Sequence, residues 1–496
     1  MNVLHVASEV APYAKTGGLA DVASALPRAL AARGASDGDR VAIVTPRHRV
    51  DPARFGLARR LSPIVVPLGG QAWELSVLEG RLPGGGHVRA FLIDHPLYDR
   101  AGLYQENGRD YPDNALRFAL LSRAAIAVAQ AYGLPPDVIH AHDWQAAPSL
   151  LYARRGAAPR ARTILTIHNV AFLGTFPPST AKEVDFDGDL FHPDGVEFWG
   201  NVSFLKAGAV FADWITTVSP RYAREIMTPE FGCGLDGLLR ARSDRVVGIL
   251  NGADYDVWDP SRDALLAARY DEADLDGKAR CKAALQRELG LPERPRAPLC
   301  AAVSRLTPQK GFDLAAEALE ALLPAALDDP ARAMQVVVLG SGEPELEDRL
   351  RSLQARFPSQ VAARFGYDEA LAHRIYAGCD LFVMPSRYEP CGLSQLYALR
   401  YGAPPIVRAT GGLDDTVIDF DPRSSTGTGF KFGPISSLAL AGAWRRALAA
   451  WRDPASFVAL RRRAMQQDFS WSHSADRYRV LYHRPPAEAE AQPQPY

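Results

Sequence analysis

A chain of 496 residues is too long for one ordinary core and is expected to fold as two or more domains. Hydrophobic residues are 47% and charged residues 23% of the chain, and 56 basic against 57 acidic side chains leave a net charge of −1. That balance argues against a chain built to coat nucleic acid or an anionic membrane, so any phosphate must be held by local charge.

The five cysteines, Cys233, Cys281, Cys300, Cys379 and Cys391, are scattered, and no CxxC pair occurs. Neither a disulfide framework nor a structural zinc site is suggested, and a reducing, cytoplasmic setting is expected. The N-terminus has no basic segment followed by a long apolar run, so no signal peptide is expected. No apolar stretch reaches the roughly 18–20 residues of a membrane span.

Residues 3–7 read as a strand. Lys15-Thr16-Gly17-Gly18-Leu19-Ala20-Asp21-Val22 then leads into a helical pattern through Leu26, Leu30 and Ala31. A glycine pair there lets the backbone approach a ligand closely and opens a helix whose first N–H groups lack partners. Such a turn favours a phosphate, and Lys15 adds a positive charge beside it. A plain tight turn with a solvated lysine fits the same residues, so a second phosphate-suited set must decide. Further strands are expected at 41–44, 64–68, 88–93, 138–141, 163–167 and 214–218, with a helix over 115–131. The stretch 65–93 lacks a helical period and reads as a local antiparallel excursion. His140-Ala141-His142-Asp143-Trp144 and Thr166-Ile167-His168-Asn169 close two of these strands, where Asp143 and His168 can bind hydroxyls or tune charge. Asp185-Phe186-Asp187-Gly188-Asp189 imitates a calcium loop but has Leu190 where that loop wants glycine, and it reads as a solvated acidic loop.

A second series of strands and helices follows Asn251. Strands are expected at 299–303, 335–339, 361–365, 381–384 and 405–407, separated by helices such as 313–323, 369–377 and 394–400. Alternation of this kind specifies parallel sheets with helices on both faces, hence two doubly wound α/β domains. Ligands bind outside the carboxyl ends of such strands, and two facing sheets would leave a cleft lined from both sides. The informative loops sit at those ends. Ser304-Arg305-Leu306-Thr307-Pro308-Gln309-Lys310-Gly311 offers a planar fork and a point charge for a diphosphate. Pro385-Ser386-Arg387-Tyr388-Glu389-Pro390-Cys391-Gly392-Leu393 offers a carboxylate for sugar hydroxyls or for positive charge at an anomeric carbon. Gly392 is expected to open the next helix with free N–H groups, and Cys391 reads as a small packed residue. Gly411-Gly412-Leu413 repeats the glycine-pair logic, Gly340-Ser341-Gly342 more weakly, and Tyr367 offers a ring for a nucleobase. Residues 484–496, rich in Pro, Ala, Glu and Gln, read as a disordered tail.

Taken together, these motifs resemble the bacterial glycogen synthase and plant starch synthase family. Lys15 to Val22 matches its opening motif, and Ser304 to Gly311, Glu389 to Leu393 and Gly411 to Val417 match signatures of its second domain. His168-Asn169, Phe204-Leu205-Lys206-Ala207-Gly208, Thr217-Val218-Ser219-Pro220 and Asn251-Gly252 extend the match over about 480 residues. The resemblance implies a GT-B fold, with Rossmann-like domains over 1–248 and 249–465 facing a deep cleft. A helix over 466–483 would cross back to the first domain, with Trp471 to Tyr482 as its candidate. It implies a retaining glucosyltransferase using ADP-glucose as donor and glycogen or another α-1,4-glucan as acceptor. It implies no metal or other cofactor, and no nucleic-acid or membrane partner. Carried over by position, Gly17, Gly18, Arg305 and Lys310 contact the diphosphate, with Lys15 and Asp21 close by. Glu389 binds glucose, and Asp143, His168 and Asn169 frame glucose and acceptor. Asn251, Cys391, Gly392, Leu393, Gly411 and Gly412 line the substrate, and Tyr367 neighbours the adenine. Phe172-Leu173 and Pro46-Arg47-His48-Arg49 depart from the family pattern on the acceptor side. A related UDP-glucose transferase, a catalytically silent glucan-binding protein and a pyridoxal-dependent phosphorylase are the rival readings; oligomeric state is not legible.

Overall fold

The computed structural model of the chain describes residues 1–60, 62–85, 87–324 and 334–484. They divide into two compact units, Met1–Gly252 with the C-terminal segment from Trp471, and Ala253–Ser470. The tail expected over 484–496 lies, past Arg484, outside the described residues.

The first unit is built on strands β1 (Asn2–Val6), β2 (Arg40–Pro46), β3 (Ile64–Leu68), β4 (Gln71–Arg81), β5 (Arg89–Asp94), β6 (Val138–His142), β7 (Arg162–Ile167), β8 (Trp214–Thr217) and β9 (Val246–Gly248). They lie in the order β9-β8-β7-β6-β1-β2-β5-β4. Every pairing from β9 to β5 is parallel. The expected excursion is the antiparallel meander β3-β4-β5. Strand β6, Val-Ile-His-Ala-His, is buried at every position, as a strand covered on both faces must be. Helix α1 (Gly18–Arg33) and the C-terminal helix Trp471–His483 pack with Val3, Val41 and Ile43 in one core. Arg33 Nε bonds Asp476 at 2.7 Å, and Tyr478 and Tyr482 of the same C-terminal helix are buried.

The second unit carries β10 (Leu299–Val303), β11 (Gln335–Leu339), β12 (Val361–Arg364), β13 (Leu381–Met384), β14 (Pro405–Arg408) and β15 (Phe430–Phe432). All are parallel, in the order β12-β11-β10-β13-β14-β15. The helices α2 (Phe312–Leu322), α3 (Ser394–Arg400) and α4 (Gly411–Thr416) follow three of these strands.

Both sheets reverse their winding once, between β1 and β6 in the first unit and between β10 and β13 in the second. At such a switch point the loops diverge and leave room for a ligand outside the strand ends. The loops after β1, β6, β10 and β13 carry Lys15 to Gly18, Asp143, Arg305 with Lys310, and Glu389, while His168 follows β7 and Gly411 follows β14. No helix among the described residues is long and apolar enough to cross a membrane.

Candidate active site

In the second unit, two switch-point loops are locked together before any ligand arrives. Asp313 takes two bonds from the Arg387 guanidinium, at 2.8 and 2.6 Å, and the Arg387 N–H donates to Gln309 O at 2.8 Å. Gly311 adopts φ +70°, and a Cβ there would stand 2.1 Å from Pro385 O, so glycine is required twice over. This frame holds Lys310 Nζ 2.6 Å from Glu389 Oε2, which also accepts from Ser386 Oγ at 3.0 Å. Glu389 is buried, and the pair is largely shielded from water. Removing either partner would leave a desolvated charge. Arg305, five residues before Lys310, is exposed and has no partner among the described residues. The arrangement offers one free cation and one that an anion can draw away from a carboxylate.

The glycine pair Gly411-Gly412 packs closely on the Glu389 loop. The Gly412 N–H donates to Glu389 O and Pro390 O at 3.1 and 3.2 Å. A Cβ at Gly411, which has φ +44°, would lie 1.9 Å from Glu389 O, and one at Gly412 would lie 2.1 Å from Cys391 O. This pair supports the Glu389 loop by close backbone packing. Gly340 and Gly342 do the same for the Arg305 loop, whose Ser304 O and Leu306 O would meet their Cβ atoms at 1.8 and 2.0 Å. Gly392 does not open a helix. It takes φ +71° and α3 begins two residues later, at Ser394, because Gln395 turns back to bond Cys391 O and Gly392 O at 2.9 Å each. Cys391 is buried, as expected of a packed thiol, and Leu393 is half-buried. Tyr367 is 78% exposed, its hydroxyl on Glu369 at 2.5 Å, which leaves a ring face open.

In the first unit, the loop after β1 is tied by a residue that sequence reading passed over. Glu9 is buried and accepts from both the Thr16 N–H and the Thr16 hydroxyl, the latter at 2.9 Å. Its only signal was an acidic side chain in an otherwise apolar stretch just past the strand. Lys15 is paired with Asp21 at 2.7 Å and is exposed. Gly17 caps α1 with extended backbone, φ −162°, and a Cβ there would meet nothing within 4 Å. Among the described residues nothing packed against that position demands glycine, and the open space lies at the start of α1, which begins at Gly18 and has no side-chain cap.

Asp143, immediately after β6, is buried and takes left-handed backbone, φ +57°, which is uncommon for a residue with a side chain. Its Oδ1 accepts the His168 N–H at 2.7 Å. Burial pushes its carboxyl up to about 7, against the pull of the His168 and Asn169 N–H groups. Asn169 is half-buried and turns its carbonyl to the Ala171 N–H at 3.1 Å. Asn251 is buried, and its Oδ1 has no partner among the described residues.

Beneath these loops, His168 Nε2 lies 3.1 Å from His142 Nδ1, and His142 Nε2 lies 3.0 Å from His5 Nδ1. His140 stacks on His142 at 4.4 Å and bonds Tyr482 OH and Thr166 Oγ1 at 2.8 and 2.5 Å. His5, His140 and His142 bring ligand atoms within 4.8 Å of one another. Stacked faces, with every ring nitrogen of the three except His5 Nε2 bonded to a neighbour, fit a hydrogen-bonded column better than a set converging on an ion. The acidic run 185–189 does not converge either: Asp185 bonds Arg123 at 2.6 Å and Asp189 bonds Arg155 at 2.8 Å. Those carboxylates are ion-paired rather than simply solvated. In the divergent segment 46–49, His48 is buried on Ser8 O at 2.8 Å.

Comparison with known proteins matches residues 2–241 to the starch synthase catalytic domain and residues 286–463 to glycosyl transferases group 1. A glycogen synthase of Anaeromyxobacter dehalogenans is 50% identical over 490 residues, 97% of this chain and 99% of that one. A glycogen synthase of Myxococcus xanthus is 47% identical over 501 residues, again 97% and 99%. The catalytic domain of starch synthase IV from Arabidopsis thaliana, solved with ADP and acarbose, superposes with a TM-score of 0.86 at 35% identity, covering 97% of this chain and 98% of that one. A sucrose-phosphate synthase from Thermosynechococcus elongatus shares the fold at a TM-score of 0.59 and 20% identity, over 97% and 98%.

Proposed function

We propose the reaction of this chain from one premise: it belongs to the bacterial glycogen synthase and plant starch synthase family, has the GT-B fold, and is a glycosyltransferase of the glycogen synthase type. The reaction moves glucose from ADP-glucose to the 4-hydroxyl at the non-reducing end of an α-1,4-glucan, keeping the anomeric configuration. The Lys310–Glu389 pair at 2.6 Å, on the loop that also carries the exposed Arg305, is the observation that carries it.

Arg305 and Lys310 take the diphosphate. As the sugar bond breaks, negative charge builds on the leaving oxygen, and two fixed cations stabilise it without needing a metal. When Lys310 turns to the diphosphate, Glu389 is left free to accept glucose hydroxyls and to oppose positive charge at the anomeric carbon. Gly17, Gly18 and Lys15 serve the donor phosphates, and Asp21 holds Lys15 until they arrive. Tyr367 is the adenine neighbour. Asp143, His168, Asn169 and Asn251 frame glucose and acceptor. Retention follows from attack on the face the leaving group departs, with the departing phosphate taking the acceptor's proton. No metal or other cofactor enters this scheme, and the setting is the cytoplasm.

The test is nucleotide release from ADP-glucose and from UDP-glucose with glycogen present, with the new linkage read by proton NMR. Release of ADP coupled to new α-1,4 linkages supports the reading. Preference for UDP-glucose overturns the donor assignment, and glycogen binding without release of either nucleotide overturns the reaction.

A further inference from the structure

Three imidazoles form a single file from the interior of the first unit to the end of β7. His5 Nδ1 meets His142 Nε2 at 3.0 Å, and His142 Nδ1 meets His168 Nε2 at 3.1 Å. His5 and His142 are fully buried, while His168 is half-buried. The two ends of the file differ. At the inner end, His5 Nε2 is buried with no partner among the described residues. At the outer end, His168 Nδ1 has no partner among the described residues, and its backbone is pinned by the Asp143 carboxylate at 2.7 Å.

Burial holds all three rings neutral: His5 and His168 are pushed down to about 3, and His142 lies well below the usual histidine range. A neutral imidazole has one donor nitrogen and one acceptor nitrogen. Two links in a row therefore allow only two proton arrangements. Either every ring is protonated at Nδ1 and His5 ends in a bare lone pair, or every ring is protonated at Nε2 and His5 buries an unpaired N–H. Among buried backbone groups an orphaned N–H is rarer than an under-satisfied acceptor, and the same order is taken here for the ring nitrogens. The inner end thus selects the first arrangement for the whole file.

We propose that His142, backed by His5, is a positioning residue that locks His168 in the Nδ1-protonated tautomer, so that its open nitrogen is a hydrogen-bond donor for a substrate oxygen. A free imidazole in water prefers the proton on Nε2, which would turn a lone pair outward instead. The sugar hydroxyl as the oxygen in question rests on the reaction proposed above; the lock itself does not. The donor set is uncharged, so it can bond a hydroxyl without attracting a stray phosphate.

The experiment is nitrogen NMR of the histidine-labelled full chain without substrate, where protonated and bare ring nitrogens have well-separated shifts. The wild-type protein is expected to show His168 bare at Nε2 and protonated at Nδ1. His142→Phe keeps the ring volume and removes the link, and His168 is expected to revert towards Nε2–H. His142→Asn places an amide N–H where Nδ1–H stood and is expected to restore the wild-type pattern. His5→Phe only shifts the blind end to His142 Nε2 and should leave His168 unchanged. Nε2–H at His168 in the wild-type protein overturns the lock with no variant needed, and so does an unchanged His168 in folded His142→Phe. For the functional half, kcat for transfer from ADP-glucose is expected to fall about tenfold in His142→Phe with KM little changed, the signature of one bond made in the transition state. Full turnover in a variant whose tautomer has reverted contradicts that half alone. The NMR arm decides the lock even if ADP-glucose proves not to be the donor.

Discussion

The two switch points share a topology and differ in how they treat charge. In the second unit, between β10 and β13, the chain brings a cation against a carboxylate at 2.6 Å and leaves Arg305 open to solvent. In the first, between β1 and β6, it buries neutral imidazoles and a carboxyl raised to about 7. In the proposed reaction the second-unit site trades its ion pair for the donor's diphosphate. In the same reading the loops after β6 and β7 offer the sugar hydroxyls neutral imidazoles and Asp143, while the loop after β1, with Lys15 held by Asp21, faces the donor phosphates. The same parallel-sheet scaffold supports both because the loops, not the strands, decide the chemistry.

The largest expected effect breaks the charged side. Lys310→Ala should lower kcat with ADP-glucose by about 10²–10³, the scale of a lost charge-stabilising donor. Lys15→Ala removes an exposed lysine already held by Asp21 and should cost about tenfold or less. Equal losses in steady-state assays would erase the distinction between the two cations.

Glycine substitutions sharpen the contrast next. Gly411→Ala sets a Cβ 1.9 Å from Glu389 O in left-handed backbone and should destabilise the second unit by about 1–3 kcal/mol. Gly17→Ala meets nothing within 4 Å in extended backbone, so stability should change by less than about 1 kcal/mol. Its KM for ADP-glucose should nevertheless rise several-fold, because the space is kept for a ligand. Thermal melts beside donor titrations separate the two outcomes.

The smallest effects are in pH. His5 and His168, held near 3, and His48, held near 4, refuse protons that the unfolded chain accepts below about 6.5. The first unit therefore keeps their contribution above that pH and loses it on acidification towards 4. Asp143 opposes them: it takes its proton near 7 when folded, so acidification through that window favours the folded state by one proton's worth. Lys278 in the second unit is buried on three carbonyls and pushed down to about 7, so its effect lies on the alkaline side, with stability rising from there towards 10.5. Hydrogen exchange read separately in each unit should show acid sensitivity in the first. His48→Gln should flatten the acid slope by about 1.4 kcal/mol per pH unit at most.

Much of this was legible in the linear chain because parallel strands buried on both faces are nearly continuous apolar runs, as at β11 and β13, and because ligand loops follow their ends. The places of Arg305, Lys310, Glu389, Asp143 and His168 past the strand ends could be read that way. The roles of the glycines could not. Gly17 and Gly411 look alike as pairs, and only the atoms across from them separate open space from a backbone packed on backbone. Glu9 and the His5–His142–His168 file were hidden for the same reason: their partners lie elsewhere in the chain, 137 residues away for His5 and His142. Local pattern carries no trace of such pairings.

The central claim is that Lys310 leaves Glu389 for the donor's diphosphate. A crystal structure with ADP bound tests it most directly. The account predicts phosphate oxygens within hydrogen-bond distance of Arg305 and Lys310, with the Lys310–Glu389 contact opened from its present 2.6 Å. ADP lodged elsewhere, with that ion pair intact, would contradict it.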